Sequence, residues 1–147
     1  MKKLIKKLNQ GFTLVEILVV VVIIGILAAI AIPTYFALTE TTYAKEAEIQ
    51  MKNMVKGAST FYVNNGQMPA DCFEEMELAG LIEMKQSVID SWDFQCDWEF
   101  DDAEREIVGT ITATSTEEND AGPGKVVQYD ILEENFSGYG QGSDSEL

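Results

Sequence analysis

Histidine is absent from this 147-residue chain, which removes the side chain that most often serves as general base, proton shuttle or transition-metal ligand near neutral pH. No glycine-rich loop followed by lysine is present to cradle a phosphate, and there is no nucleophile elbow. The commonest catalytic constellations are therefore missing, and no enzymatic activity is expected. Positive charge is also scarce: the formal net charge is −15, and Lys2, Lys3, Lys6 and Lys7 all precede the first apolar run. Sequence-independent nucleic-acid binding needs clustered Lys and Arg, so no direct nucleic-acid contact is expected. The acids Asp101, Asp102, Glu117, Glu118 and Asp120 read as solvated turns that repel one another.

Cysteine is limited to Cys72 and Cys96. If that part of the chain is exported, the two form a natural pair closing a loop of about 25 residues, which would stabilise by roughly 3 kcal/mol in the loop-entropy picture. Two buried free thiols are the alternative.

Long apolar runs, by contrast, are present in one place only. Residues 17–38 contain no charge, and as a helix at about 1.5 Å per residue they extend about 33 Å, enough to span a hydrocarbon core. Four lysines before the run and Glu40, Glu46 and Glu48 after it place the N-terminus in the cytoplasm and the remainder outside. One acid breaks the pattern. Glu16 sits at the start of the run, where an ionisable group costs about 2.5–3.5 kcal/mol on insertion scales and so calls for a partner or a task. A secretory signal peptide cut near Ala29-Ile30-Ala31 leaves Glu16 and the length of the run unexplained. A plain uncleaved anchor leaves Glu16 and Gly11 unexplained.

Gly11-Phe12-Thr13-Leu14-Val15-Glu16, followed by an apolar run that ends in Pro33, resembles the N-terminus of type IV pilins and of the related pseudopilins of type II secretion. The likeness covers about the first 40 residues. It implies that a prepilin peptidase cuts after Gly11 on the cytoplasmic side and that the new amine on Phe12 is N-methylated. In the filament so implied, Glu16 of one subunit would face the Phe12 amine of another. A buried charge pair left with one partner missing costs about 3–5 kcal/mol, so such a pair sets register. Gly25 would permit close approach of a neighbouring helix. Pro33 removes a backbone donor and is expected to kink or locally melt the helix unless neighbours compensate.

Downstream, Ala44, Ala47, Met51, Met54, Val55, Ala58, Phe61 and Tyr62 recur at three- and four-residue spacings, one apolar stripe of an amphipathic helix. Lys45, Glu48, Lys52 and Lys56 are expected off the stripe, with Glu48 and Lys52 as an i, i+4 pair. Asn64-Asn65-Gly66 and Pro69 mark the end of one helix over about residues 12–64. A short helix is expected near residues 73–78. Phe94, Cys96, Trp98 and Phe100 alternate with polar residues as a strand with one buried face. Residues 106–114 and 125–132 read as two more strands, separated by a loop over 116–124.

The expected fold class is α+β: a long N-terminal helix, its first half membrane-spanning, packed against a small antiparallel sheet. Its divisions are a leader at 1–11, a transmembrane and filament-core helix at 12–38, an amphipathic helix at 39–64, a head at 65–137 and a flexible tail at 138–147. Asp90-Ser91-Trp92 is partly similar to the Asp-Pro-Trp-Gly stretch of major pseudopilins, with Ser91 and Asp93 in place of Pro and Gly. Calcium, common in that group, would have to use oxygens such as those of Asp120 or Asp144, and without EF-hand spacing no cofactor is assigned. Asn135-Phe136-Ser137 matches a glycosylation pattern by chance.

The resemblance implies a pilus subunit held first in the inner membrane and then in an extracellular or periplasmic filament. Its partners would be other copies of itself, the prepilin peptidase, an assembly platform and an ATPase. A pseudopilin serving protein export is the near alternative, and a single-pass anchored binding domain the distant one.

Overall fold

A computed structural model describes residues 12–141. The expected leader, including Gly11 of the cleavage site, lies outside the described residues, as do residues 142–147 with Asp144. The chain separates into two units, Met1–Phe36 and Ala37–Leu147.

One helix, α1 (Leu14–Asn65), contributes to both units. Its first part is rich in Val and Ile, which are poor helix formers in water. In a bilayer the helix is nonetheless the required form, because it satisfies its backbone donors and acceptors within one segment. This is the one helix among the described residues long and apolar enough to cross a membrane. α1 runs through Pro33 without interruption. The local melting expected there does not occur, and Thr34 Oγ1 donates to the Ile30 carbonyl at 3.0 Å one turn back.

The second unit holds the remaining elements: α2 (Glu74–Leu78), α3 (Gln86–Ser91), β1 (Trp92–Asp101), β2 (Glu106–Ser115), β3 (Val126–Asp130) and β4 (Asn135–Gly138). α1 stops where the sequence predicts, and Gly66 explains the stop. At φ 73° it takes the left-handed conformation that glycine adopts at least cost, and its N–H caps the Tyr62 carbonyl at 2.7 Å.

The four strands form an antiparallel sheet in the order β1-β2-β3-β4. The register sets Cys96 opposite Ile111 and Ile111 opposite Tyr129. The core joins the α1 stripe of Ala44, Ala47, Met51, Met54, Ala58 and Phe61 to Trp92, Ile107, Ile111, Ala113, Val127 and Tyr129 of the sheet. Gly57 belongs to the same face for a different reason: a Cβ there would meet Ile82 Cγ2 at 2.5 Å and Met76 Sδ at 3.1 Å.

The structure revises several expectations. The sheet has four strands rather than three, because β4 carries a single apolar inward residue, Phe136, too little for a period-2 signal. Helix α3 was not expected, since it is one short turn with no side-chain cap. Gly138 closes β4 rather than opening a tail, and Tyr139 N–H bonds the Val126 carbonyl at 2.8 Å. Glu48 lies on the buried side of α1, 5% exposed, and pairs not with Lys52 but with Lys45 Nζ, at 2.5 Å.

Candidate functional site

The start of α1 is organised around Thr13. Its backbone N–H and its Oγ1 each donate to Glu16 Oε2 at 2.8 Å, while Glu16 N–H returns a bond to Thr13 Oγ1 at 3.2 Å. This is a capping box, in which an N-cap hydroxyl and an acid three residues later satisfy each other's donors. The carboxylate also faces the positive end of the helix dipole. Glu16 thus has a partner within its own chain, in addition to the neighbouring amine that the resemblance implies. The Thr-x-x-Glu spacing ahead of an apolar run was the sequence signal for it.

Beyond the box, the apolar side chains of the first unit are uncovered. Leu14 is 82% exposed, and even the best-covered large side chains, Val19 and Val20, are 49% exposed. Outside its own stretch of helix backbone, no atom of the described residues lies within 4 Å of where a Cβ of Gly25 would stand, so none of them makes use of its missing side chain. A contiguous apolar surface of this extent marks a membrane or protein contact. Phe12 is 83% exposed and directly precedes the box. Phe12, Glu16, Gly25 and Pro33 thus share one unit, and Cys72 and Cys96 belong to the other.

Cys72 and Cys96 form a disulfide with Cα atoms 5.6 Å apart. It ties the segment before α2 to the middle of β1, so the 24-residue separation becomes a fixed loop on the head. Beside it runs an open groove of about 620 Å³ whose lining includes Phe73, Met84, Ile89 and Trp92, with Asp71 and Glu74 at its margin. The Trp92 Nε1–H is buried without a hydrogen-bond partner among the described residues. Asp120 is exposed in the loop before β3, and among the described residues no three His, Cys, Asp or Glu side chains gather as a metal site would require.

The C-terminal side of the head also reaches α1. Gln141 Nε2 donates to Glu48 Oε1 at 2.8 Å, so both Glu48 oxygens are occupied. Gln141 fell within the expected tail, and no local pattern in the sequence links it to a residue so distant.

Comparison with known proteins agrees with this geometry at the N-terminus. Residues 6–32 match the family model described as the prokaryotic N-terminal methylation motif. A fimbrial protein of Neisseria meningitidis serogroup A is 36% identical over 64 residues, covering 44% of this chain and 38% of that protein. The type IV major pilin protein PilE of Neisseria gonorrhoeae is 38% identical over 64 residues, with the same coverage. The fimbrial protein EcpC of Eikenella corrodens is 42% identical over 69 residues, 46% of this chain and 44% of its own length. The chain thus spans about two fifths of the length of the curated relatives it matches. A capped, uncovered apolar helix coincides with a matched methylation motif: this chain carries a prepilin-type N-terminus similar to that of type IV pilins, on a pilin-like α+β fold.

Proposed function

We propose that the chain is a structural subunit of a type IV pilus or a pilus-like filament, cut by a prepilin peptidase between Gly11 and Phe12 and methylated on Phe12. One observation carries this reading: an apolar helical surface that the described residues leave bare, in a chain that also carries a disulfide-closed head. In the bilayer that surface meets lipid, and in a filament it meets the same surface of other subunits, so one stripe serves two solvents in turn. Cleavage removes four lysines and creates a cationic amine within reach of the capping box. Both Thr13 bonds fall on Glu16 Oε2, so in the filament Oε1 is the oxygen that meets the Phe12 amine of a neighbour. Glu16 then specifies register, rather than acting as an orphaned acid that drives extraction from lipid. Gly25 lets a neighbouring helix approach, and Pro33 marks where neighbours replace the missing donor. The role is mechanical, with an assembly platform and ATPase as partners.

Mass spectrometry of the mature protein from its own cell envelope tests the reading. A methylated Phe12 N-terminus is the expected result. An N-terminus at Met1, or one near Ile32, would replace it with an anchor or an ordinary signal peptide. Loss of protein export without loss of visible filaments on deletion would reassign the subunit to the pseudopilins.

A further inference from the structure

The head presents a second stripe of α1, turned away from its core. Leu38, Lys45, Ile49, Lys52, Lys56 and Val63 are all exposed, and at 100° per residue they fall within a sector of roughly 60°, roughly 150° round the helix from the centre of the core stripe. Leu38, Ile49 and Val63 are 66%, 57% and 82% exposed. The other large apolar side chains left exposed from residue 37 to 141 are Leu78, Val126 and Leu132. Lys45, Lys52 and Lys56 are half of the head's cations, the others being Lys85, Arg105 and Lys125. No acid enters the sector, since Glu40, Glu46 and Glu48 project from other sides of the helix. Lys52 Nζ is held 5.1 Å above the Phe136 ring, and Lys45, although paired with Glu48, keeps 57% of its side chain in solvent. The stripe is thus a basic and apolar seam on an otherwise acidic body.

Its complement lies on the other layer. In β1 the inward residues Phe94, Cys96, Trp98 and Phe100 alternate with exposed Asp93, Gln95, Asp97 and Glu99. β1 is an edge strand. Its outward acids face Thr114 and Thr110 of β2, opposite Asp93 and Asp97, and no base. Acids two apart on one strand face stand roughly 7 Å from each other and repel. No ion pair among the described residues neutralises Asp93, Asp97 or Glu99.

Resting on the filament reading above, we propose that the α1 stripe of one head docks on the outward acidic face of β1 in a second copy of this chain. The stripe belongs to the helix layer and the acids to the outward side of an edge strand. A symmetric contact would set lysine against lysine or acid against acid, whereas the head-to-tail contact sets lysine against acid. Head-to-tail contacts leave a free surface at each end and propagate as an open filament wherever the rotation between subunits does not close a ring. Charge complementarity fixes the register, and Ile49 and Val63 supply apolar area on either side of Lys52 and Lys56.

Charge reversal in the full-length chain, expressed in its own cell, tests this contact. Lys52→Glu with Lys56→Glu, and separately Asp97→Lys with Glu99→Lys, should each lower sheared filament by about tenfold or more, since like charges then oppose each other. Combining all four should restore assembly to within about threefold of the unmodified protein, the restored pairing being Glu against Lys. Unchanged assembly in either double variant, or no recovery in the fourfold variant, overturns the contact. Thiol labelling shows whether Cys72 and Cys96 remain paired in each variant, and so whether its head has folded. For any head that has not folded, a second measurement decides. A short bismaleimide should join Lys56→Cys of one subunit to Asp97→Cys of the next in otherwise unaltered filaments. A ladder of this chain supports the contact, and a cross-link only to another envelope protein, or none, overturns it. If the unmodified chain forms no filament at all, the filament reading falls as well, an outcome distinct from those above.

Discussion

Val20 is 49% exposed, while Met51, farther along the same helix, is wholly buried. Both belong to α1, yet they face opposite circumstances. Among the described residues, the first unit buries none of its large apolar side chains, because every turn of residues 17–36 is apolar and no described strand of this unit covers it. The second unit gathers its buried α1 residues into one stripe and covers that stripe with a sheet. An all-round apolar helix needs lipid or other helices as solvent, and a one-sided stripe needs a partner layer from its own chain. The same helical backbone therefore carries one segment whose stability is borrowed from its surroundings and one whose stability is intrinsic. Perturbations of the two should separate cleanly.

The largest effect is expected in the first unit. Glu16→Ala removes the acid from the capping box and the proposed partner of the Phe12 amine, and should lower filament yield by more than about tenfold, the scale of leaving one member of a buried pair alone. Export and thermal unfolding of the head should not change, since the side-chain hydrogen bonds of Glu16 among the described residues all go to Thr13. Electron microscopy of sheared filaments and calorimetry of the detergent-solubilised protein read the two halves of this expectation. A head destabilised by Glu16→Ala would break the division between the units.

A smaller effect of the opposite distribution is expected from the disulfide. Replacing Cys72 and Cys96 by serine opens the loop between α2 and β1 and should destabilise the head by about 3 kcal/mol, read as a lower denaturant midpoint. Insertion of the first unit should be untouched, as measured by carbonate extraction of membranes.

Legibility of the sequence differs between the two units for the same physical reason. The first unit is ruled by one strong signal, an uninterrupted apolar run between a basic leader and acids, and its helix was plain. The capping box was missed, although Thr13 and Glu16 stand at the required spacing. In the head, periodicity revealed what packs by repetition: the stripe from Ala44 to Phe61, the alternation in β1, and the inward residues of β2 and β3. It missed what depends on one long-range contact. Glu48 has the composition of a solvent-facing residue, and its burial is compensated by Lys45 together with Gln141, which arrives from the far end of the chain. β4 failed for a similar reason, since an edge strand with one buried side chain is defined by its neighbour β3 and not by its own pattern. The pairing of Cys72 with Cys96 was legible because no other thiol competes for either.

The finest expected difference between the units appears at alkaline pH and belongs to the head alone. Burial raises the pKa of Tyr129 above its ordinary value near 10, and the charges of Glu134 and Asp130 add to the shift. Burial likewise raises Tyr139, with Glu40 and then Tyr43 contributing. Tyrosine is charged only when deprotonated, so in each case the folded head holds its proton more tightly than the unfolded chain does. Their contribution to stability is complete below the ordinary tyrosine pKa and is lost as pH rises through the raised folded values. The head's melting temperature should therefore decline from about pH 10 upward. Tyr139→Phe should blunt the decline, because the ring stays under Lys125 while the ionisable hydroxyl is gone. Ultraviolet titration of tyrosinate alongside the melting curve supplies the check: ionisation of Tyr129 and Tyr139 at their ordinary pKa, with no loss of melting temperature, would show that these rings are solvated and that the sheet does not close over them as described.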